Sequence, residues 1–376
     1  MIEEDLMDDC THPWGNMPSY YSGSLDCYDE AVVYLQSKED LDLLSKTLDV
    51  DLSTTRSTWY PKEKAKRIDD RWISDIVMPH KYPLYIISKG RADKFLTGKI
   101  FDKLGLTYTV VVEEQEYEQY RKNIPEQNTI LILDPQYKID YETFDPEGDK
   151  KGVGKGSGPA RNFVWDHSNS LGVKRHWLFD DNIEDFYRFH YDKRIRLRTM
   201  NFLRIMEDFV DRYKNVPLAG FNYIYFVVPH SKYPPYHKNT KVYSAMLIEN
   251  ASNYKWRCRY NEDVDFTLRV LKDRNCTILF NNFICGKITT QVMKGGNTAE
   301  FYSSEGTMGK SAVLKKLHPD ITKVVEKYGR VHHHVDYSRY RNNIFIPVDD
   351  TKYEGINEFG MKLIDITDKP EYNIYK

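Results

Sequence analysis

A chain of 376 residues with 40% hydrophobic and 29% charged side chains has the composition of a globular protein with one sizeable core and room for a smaller module. Its net charge of −2 excludes a protein that gathers polyanions by bulk charge, so any polyphosphate contact has to come from a local patch. Five cysteines, odd in number and without a C-x-x-C pair, exclude a disulfide framework and a zinc ribbon. No apolar run reaches bilayer length, and the acidic start Met1-Ile2-Glu3-Glu4-Asp5 is unlike a secretion signal. The expected compartment is the cytoplasm, with no membrane partner.

The first 30 residues read as irregular, with Trp14, Gly15 and Pro18 among them. A short strand over 31–35 and a helix opened by Ser37-Lys38-Glu39-Asp40 follow, the helix carrying Leu41, Leu44 and Leu48 at helical spacing. Residues 1–80 are therefore expected to form a small α+β module. From Tyr82 the pattern becomes strand, helix, strand. Strands are expected at 84–87, 108–112, 129–133 and 176–179, with helices over 93–104, 117–122 and 160–170 between them. Further strands are expected at 223–228, 241–247 and 277–280, with a helix opened by Asn261-Glu262-Asp263 and a basic helix over 310–328. This alternation predicts an α/β domain over 81–345 with a mostly parallel central sheet, followed by a polar tail over 346–376. Ligands of such sheets sit beyond the carboxyl ends of the strands. Three strands end in Ser88/Arg91, Glu113 and Asp180, so the pattern predicts a site as well as a fold.

Five constellations carry chemistry. Trp177-Leu178-Phe179-Asp180-Asp181-Asn182 delivers hard oxygens to the exit edge of a strand, as a magnesium or manganese ion requires, although Asp and Asn also cap helices. Asn261-Glu262-Asp263-Val264-Asp265-Phe266 opens a helix with acids that either cap it or take a proton from an acceptor hydroxyl. The loop Gly152-Val153-Gly154-Lys155-Gly156-Ser157-Gly158 allows backbone N–H groups to approach an anion, with Lys155 and Arg161 supplying charge, but it is not a Walker motif. Arg188, Lys193, Arg194, Arg196 and Arg198, interleaved with aromatics, suit a DNA backbone or a solvated helix face. In Arg330-Val331-His332-His333-His334, one imidazole such as His333 could complete the shell of Asp180 to Asn182, with Arg330 on a diphosphate.

In this order the chain resembles the TET-associated glycosyltransferase family, phage enzymes of the GT-A, Rossmann-like nucleotide-diphospho-sugar transferase fold. The resemblance covers about residues 82–340. It rests on Ile87-Ser88-Lys89-Gly90-Arg91, Gly158-Pro159-Ala160-Arg161-Asn162-Phe163, the Asp180-Asp181-Asn182 and Asn261–Phe266 runs, Gly295-Gly296-Asn297 and the region 332–337. It implies that Ser88, Gly90, Arg91 and Glu113 line the nucleotide pocket and that Arg161 touches the nucleotide or its phosphates. It further implies that Asp180 to Asn182 stand for the family's Asp-x-Asp metal site, with Asn182 departing from that pattern. Asp263 would be the general base of an inverting reaction, with Glu262 or Asp265 orienting the acceptor. The implied reaction carries arabinose or glucose from a UDP-sugar to 5-hydroxymethylcytosine in double-stranded phage DNA, with Mn2+ or Mg2+ as cofactor, in the host cytoplasm. A polysaccharide or protein acceptor, and a non-catalytic binding module, are the competing readings.

Overall fold

The computed structural model describes residues 33–53, 71–145, 155–190, 192–229, 233–252, 254–288, 308–327 and 330–348. Gly152 to Gly154, Gly295-Gly296-Asn297, the stretches around Trp14 and Trp59, and the tail from residue 349 onward lie outside the described residues.

Alternating apolar residues build the centre. In β2 (Leu84–Ile87) all four side chains are buried, Leu84 and Ile86 in one core and Tyr85 and Ile87 in another on the opposite face. Such two-sided burial marks a sheet covered by helices on both faces. β3 (Thr109–Val112) and β4 (Thr129–Ile132) run parallel on one side of β2, and β5 (Arg175–Asp180) runs parallel on the other. The chain order thus reverses at β2, which makes the gap between β2 and β5 the switch point of the sheet.

Beyond β5 the sheet becomes mixed. Strand β10 (Ala245–Glu249) is antiparallel to both β5 and β8 (Leu218–Tyr223), and β11 (Thr277–Lys287) runs parallel to β8. β11 also pairs with β6 (Ile183–His190) and with the short β9 (Tyr236–Lys238). The hairpin of β6 with β7 (Lys193–Leu197), edged by β1 (Arg71–Trp72), completes an 11-stranded sheet among the described residues. The Rossmann-like α/β class read from the sequence is what the chain adopts.

Helices α2 (Leu96–Lys103) and α6 (Asn201–Val210) cover one face, through Phe101, Phe202 and Met206 packed on Trp177, Phe179 and Phe221. On the other face α5 (Gly158–Ser170) and α7 (Glu262–Lys272) place Val164, Trp165, Phe266 and Val270 against Leu178, Met246 and Ile248. Each such side chain contributes about 2 kcal/mol when buried. The short α3 (Tyr117–Asn123) links β3 to β4, and α4 (Gln136–Ile139) follows β4. At the far end α8 (Met308–Leu317) and the hairpin β12 (Thr322–Lys327) with β13 (Arg330–Val335) pack on α7 through Leu268, Leu271, Leu314 and Ile321.

Several elements differ from expectation. Helix α1 (Lys38–Leu48) forms where expected, with a reciprocal capping box between Ser37 and Asp40, but Val33 to Leu35 form no strand. The basic run 188–198 is a β-hairpin rather than a helix. The expected strand over 223–228 ends at Tyr223, where Phe226 N–H bonds back to the Tyr223 carbonyl and the chain turns. The basic helix over 310–328 stops at Leu317 and gives way to β12, whose Val324 and Val325 favour a strand.

Within β5, buried His176 hydrogen-bonds the Asn250 side chain at 2.6 Å and sits edge-on to Tyr85 and Trp165. Burial holds its imidazole down at about 4. The unfolded chain protonates this histidine near pH 6.5 while the folded chain resists, so stability is lost as pH falls from about 6.5 through about 4. Thermal melts at pH 7.5 and 4.5 test this: His176→Gln, which cannot titrate, should lose less of its melting temperature between them than wild type.

Candidate active site

At the carboxyl ends of β2, β3 and β5, under the N-termini of α5 and α7, lies a cleft of about 430 Å³. Its floor is made by the strand ends. After β2 the chain turns through Gly90, at φ +65°, and the Gly90 N–H bonds Glu116. The turn brings Arg91 onto Asp181 at 2.5 Å, while Ser88 Oγ donates to the other Asp181 oxygen at 2.7 Å. Both Asp181 oxygens are thereby engaged within the protein. Burial raises its carboxyl, and Arg91 and Ser88 oppose that rise.

Asp180 faces the cleft. Arg161 donates to Oδ1 at 3.0 Å, and the ammonium of Lys287, at the end of β11, donates to Oδ2 at 2.6 Å. Burial alone would raise this carboxyl, but Lys287 and Arg161 hold it down at about 2. Glu113, at the end of β3, receives Lys138 and Lys89 on Oε1 at 2.6 and 2.8 Å. Those cations overcome its burial and hold it at about 2.

The opposite wall is the start of α7. Asn261 adopts a left-handed conformation at φ +55°, and the turn sets Glu262 and Asp263 on the cleft wall. Glu262 accepts from Ser157 Oγ at 2.7 Å and stands 3.7 Å from Arg161. Burial pushes its carboxyl up against the pull of Arg161. Asp263 Oδ1 accepts from the Val264 N–H at 2.9 Å. Burial, and then the charge of Asp263, keep the Tyr337 phenol well above its usual range.

The glycine loop joins this wall through its described half. Lys155, Gly156 and Ser157 line the cleft, and α5 begins at Gly158, where a β-carbon would fall 1.8 Å from the Tyr141 hydroxyl. Arg161, one turn on, is buried over the Trp256 ring at 4.7 Å.

Ser88, Arg91, Glu113, Arg161, Asp180, Glu262 and Asp263 are therefore brought together as expected, and Gly90 shapes the turn that positions Arg91. Asp265 is not part of the site. It is fully buried behind α7, bound by Arg257, Arg269 and His318 at 2.9–3.0 Å, because it falls on the inward face of the helix. His333 lies in β13 opposite Val324 and does not line the cleft, and the side chain of Arg330 falls outside the described part of the structure.

Of the residues expected on a metal, Asp180, Asp181 and Asn182 line the cleft. Asp181 has its oxygens taken by Arg91 and Ser88, Asp180 is engaged by two cations, and His333 does not line the cleft. Among the described residues no three His, Cys, Asp or Glu side chains converge as metal ligands. Asn182 donates its amide to the Ile288 carbonyl, and its buried Oδ1 has no hydrogen-bond partner, a single neutral oxygen. This donor set is not a preformed protein cage for a divalent ion, whose remaining oxygens would have to come from substrate phosphates and water.

Of the cations expected on DNA, Arg188 is buried between the Trp72 and Phe283 rings, and Arg198 forks onto Asp185 at 2.8 and 2.9 Å. Both are consumed by the fold, because alternate residues of β6 face inward and Asp185 needs a counter-charge. Arg196 also pairs with Asp185 but stays half exposed, Lys193 is exposed, and Arg194 donates to the Val227 carbonyl. That bond ties the hairpin to a rim loop where Tyr225 and Phe226 are 65% and 53% exposed, with Phe226 lining the cleft. Sequence reasoning missed Phe226 and Lys287. The available signal was the second apolar run Phe283-Ile284-Cys285, which continues β11 past a register shift between Phe280 and Ile284.

Fold and site together define a doubly wound α/β protein with a cation-rich cleft at its switch point. A family model, TET-Associated Glycosyltransferase, matches residues 82–296, more than half the chain, and the chain belongs to that family. Among solved structures it is similar to mannose-1-phosphate geranyltransferase from Thermus thermophilus, at 9% identity and a TM-score of 0.26, covering 63% of this chain and 64% of that one. A likeness of that size carries no argument. No curated protein matches the chain. No helix among the described residues is long and apolar enough to cross a membrane.

Because Arg161 faces both Asp180 and Glu262, Arg161→Met leaves buried carboxylates short of a partner. It should cost about 3 kcal/mol of stability, read as a lower urea midpoint with an unchanged slope.

Proposed function

We propose that this protein is an inverting glycosyltransferase that moves arabinose or glucose from a UDP-sugar to the hydroxyl of 5-hydroxymethylcytosine in double-stranded phage DNA, in the cytoplasm of the infected cell. The observation that carries the reading is the juxtaposition of Asp263 with the cationic strand ends in one cleft. The family supports the reaction class.

The donor nucleotide would enter along Ser88, Arg91 and Glu113, with its diphosphate toward Arg161 and Lys287. As the acceptor oxygen bonds the anomeric carbon, its proton passes to Asp263, and the bond from that carbon to the phosphate breaks with its electrons leaving on UDP. Cations fixed in place before the reaction meet the charge that develops on the departing diphosphate. No step is routed through a metal, since Asp180 is already engaged by Lys287 and Arg161. A hydroxymethyl group in the major groove reaches such a cleft in place or on a base turned out of the stack. The exposed rings of Tyr225 and Phe226, with Lys193, Arg194 and Arg196 beside them in the hairpin, suit a base and its backbone.

Incubating the protein with UDP-sugars and DNA containing 5-hydroxymethylcytosine, followed by nucleoside mass spectrometry, should reveal a mass gain of one pentose or hexose. Free UDP with unmodified DNA would move the acceptor to a polysaccharide or protein. Absence of turnover with every donor would leave a binding module. Asp263→Asn should lower turnover by about 10²- to 10⁴-fold, while UDP affinity by calorimetry stays near that of wild type. Phe226→Ala should raise KM for DNA and leave KM for the donor unchanged.

A further inference from the structure

The ammonium of Lys287 is held by three oxygens: Asp180 Oδ2 at 2.6 Å, Ser244 Oγ at 2.6 Å and Tyr223 OH at 3.4 Å. This uses all three of its N–H groups. The side chain is only 11% exposed and lies over the Tyr223 ring. Its strand, β11, is paired to β8, β6 and β9, so the lysine is delivered by a fixed element rather than a loop. Arg161 takes the other oxygen of Asp180. The carboxylate at the switch point therefore has protein cations on both oxygens.

We propose that Lys287 occupies the position of a divalent cation on Asp180 and serves as the fixed counter-charge for the donor's diphosphate. A magnesium ion bonds carboxylate oxygens at about 2.1 Å. On Asp180 Oδ2 it would meet the ammonium already bonded there, so the two cations exclude one another from that oxygen. The neutral Oδ1 of Asn182 is too weak a second ligand to reverse the preference. Other lysines of the cleft, Lys155 and Lys241, add to the positive wall. The diphosphate part of this inference rests on the donor proposed above, whereas the competition at Asp180 does not.

The test has two arms. Mn2+ binding without nucleotide, followed by electron paramagnetic resonance, should be weak in wild type and Lys287→Arg and about tenfold tighter in Lys287→Met. Equal affinity in all three proteins would overturn the competition. UDP binding by calorimetry in excess EDTA should match that in Mn2+ for wild type. It should fall about tenfold for Lys287→Met and be retained in Lys287→Arg. A wild-type protein that binds UDP only with Mn2+ would overturn the counter-charge role. If UDP binds no variant under any condition, the nucleotide reading fails and the counter-charge role with it, while the Mn2+ arm still decides the competition at Asp180. Circular dichroism confirms that each variant is folded.

Discussion

The site depends on one buried cation. Arg161 lies over Trp256, bonds Ser157 and Asp180, and faces Glu262, so a single guanidinium joins the end of a central strand to the starts of two helices. A guanidinium suits this place because it is planar, permanently charged and able to fork its donors. Were it absent, Glu262 would lose the cation that faces it and Asp180 would keep Lys287 alone.

Around that cation the fold separates two kinds of carboxylate. Asp180 and Glu113, each against two cations, are held ionised to about pH 2, whereas Asp181 and Glu262 are pushed upward by burial. Burial would raise all four alike; two cations on each of Asp180 and Glu113 outweigh it, whereas the single arginine beside Asp181 and beside Glu262 does not. Asp265 follows the same physics outside the cleft, where Arg257, Arg269 and His318 make it the pin that fastens α8 to α7.

Much of this was legible in the sequence. Apolar runs such as 84–87 and 177–179 announce two-sided burial, and polar residues at their ends announce the crevice. Side-chain direction was less legible. Asp180 and Asp181 are adjacent and chemically alike and both line the cleft, yet Asp180 meets Arg161 and Lys287 while Asp181 meets Ser88 and Arg91, because successive residues leaving a strand point to opposite sides. Arg188 and Arg198 looked like solvent-facing cations because no local pattern discloses a Trp72 or an Asp185 brought in from elsewhere. Lys287 was hidden by Asn281-Asn282, which interrupt the apolar pattern of a strand that continues beyond them.

The order of strands also bears on how the protein is made. Among the described residues β11 is the last strand of the sheet in the chain, yet it lies between β8 and β6, both of which precede it by dozens of residues. The parallel half, residues 84–180, can assemble while the rest of the chain is still being synthesised, but the β6–β7 hairpin has no inner neighbour until β11 arrives. Non-local pairing of this kind is slow to form and leaves strand edges open in the interim. Since Lys287 is the final residue of β11, Asp180 gains its ammonium only when the sheet is whole. Partly folded chains carry Asp180 with Arg161 but without its second cation, and functional competence becomes a late event in biogenesis.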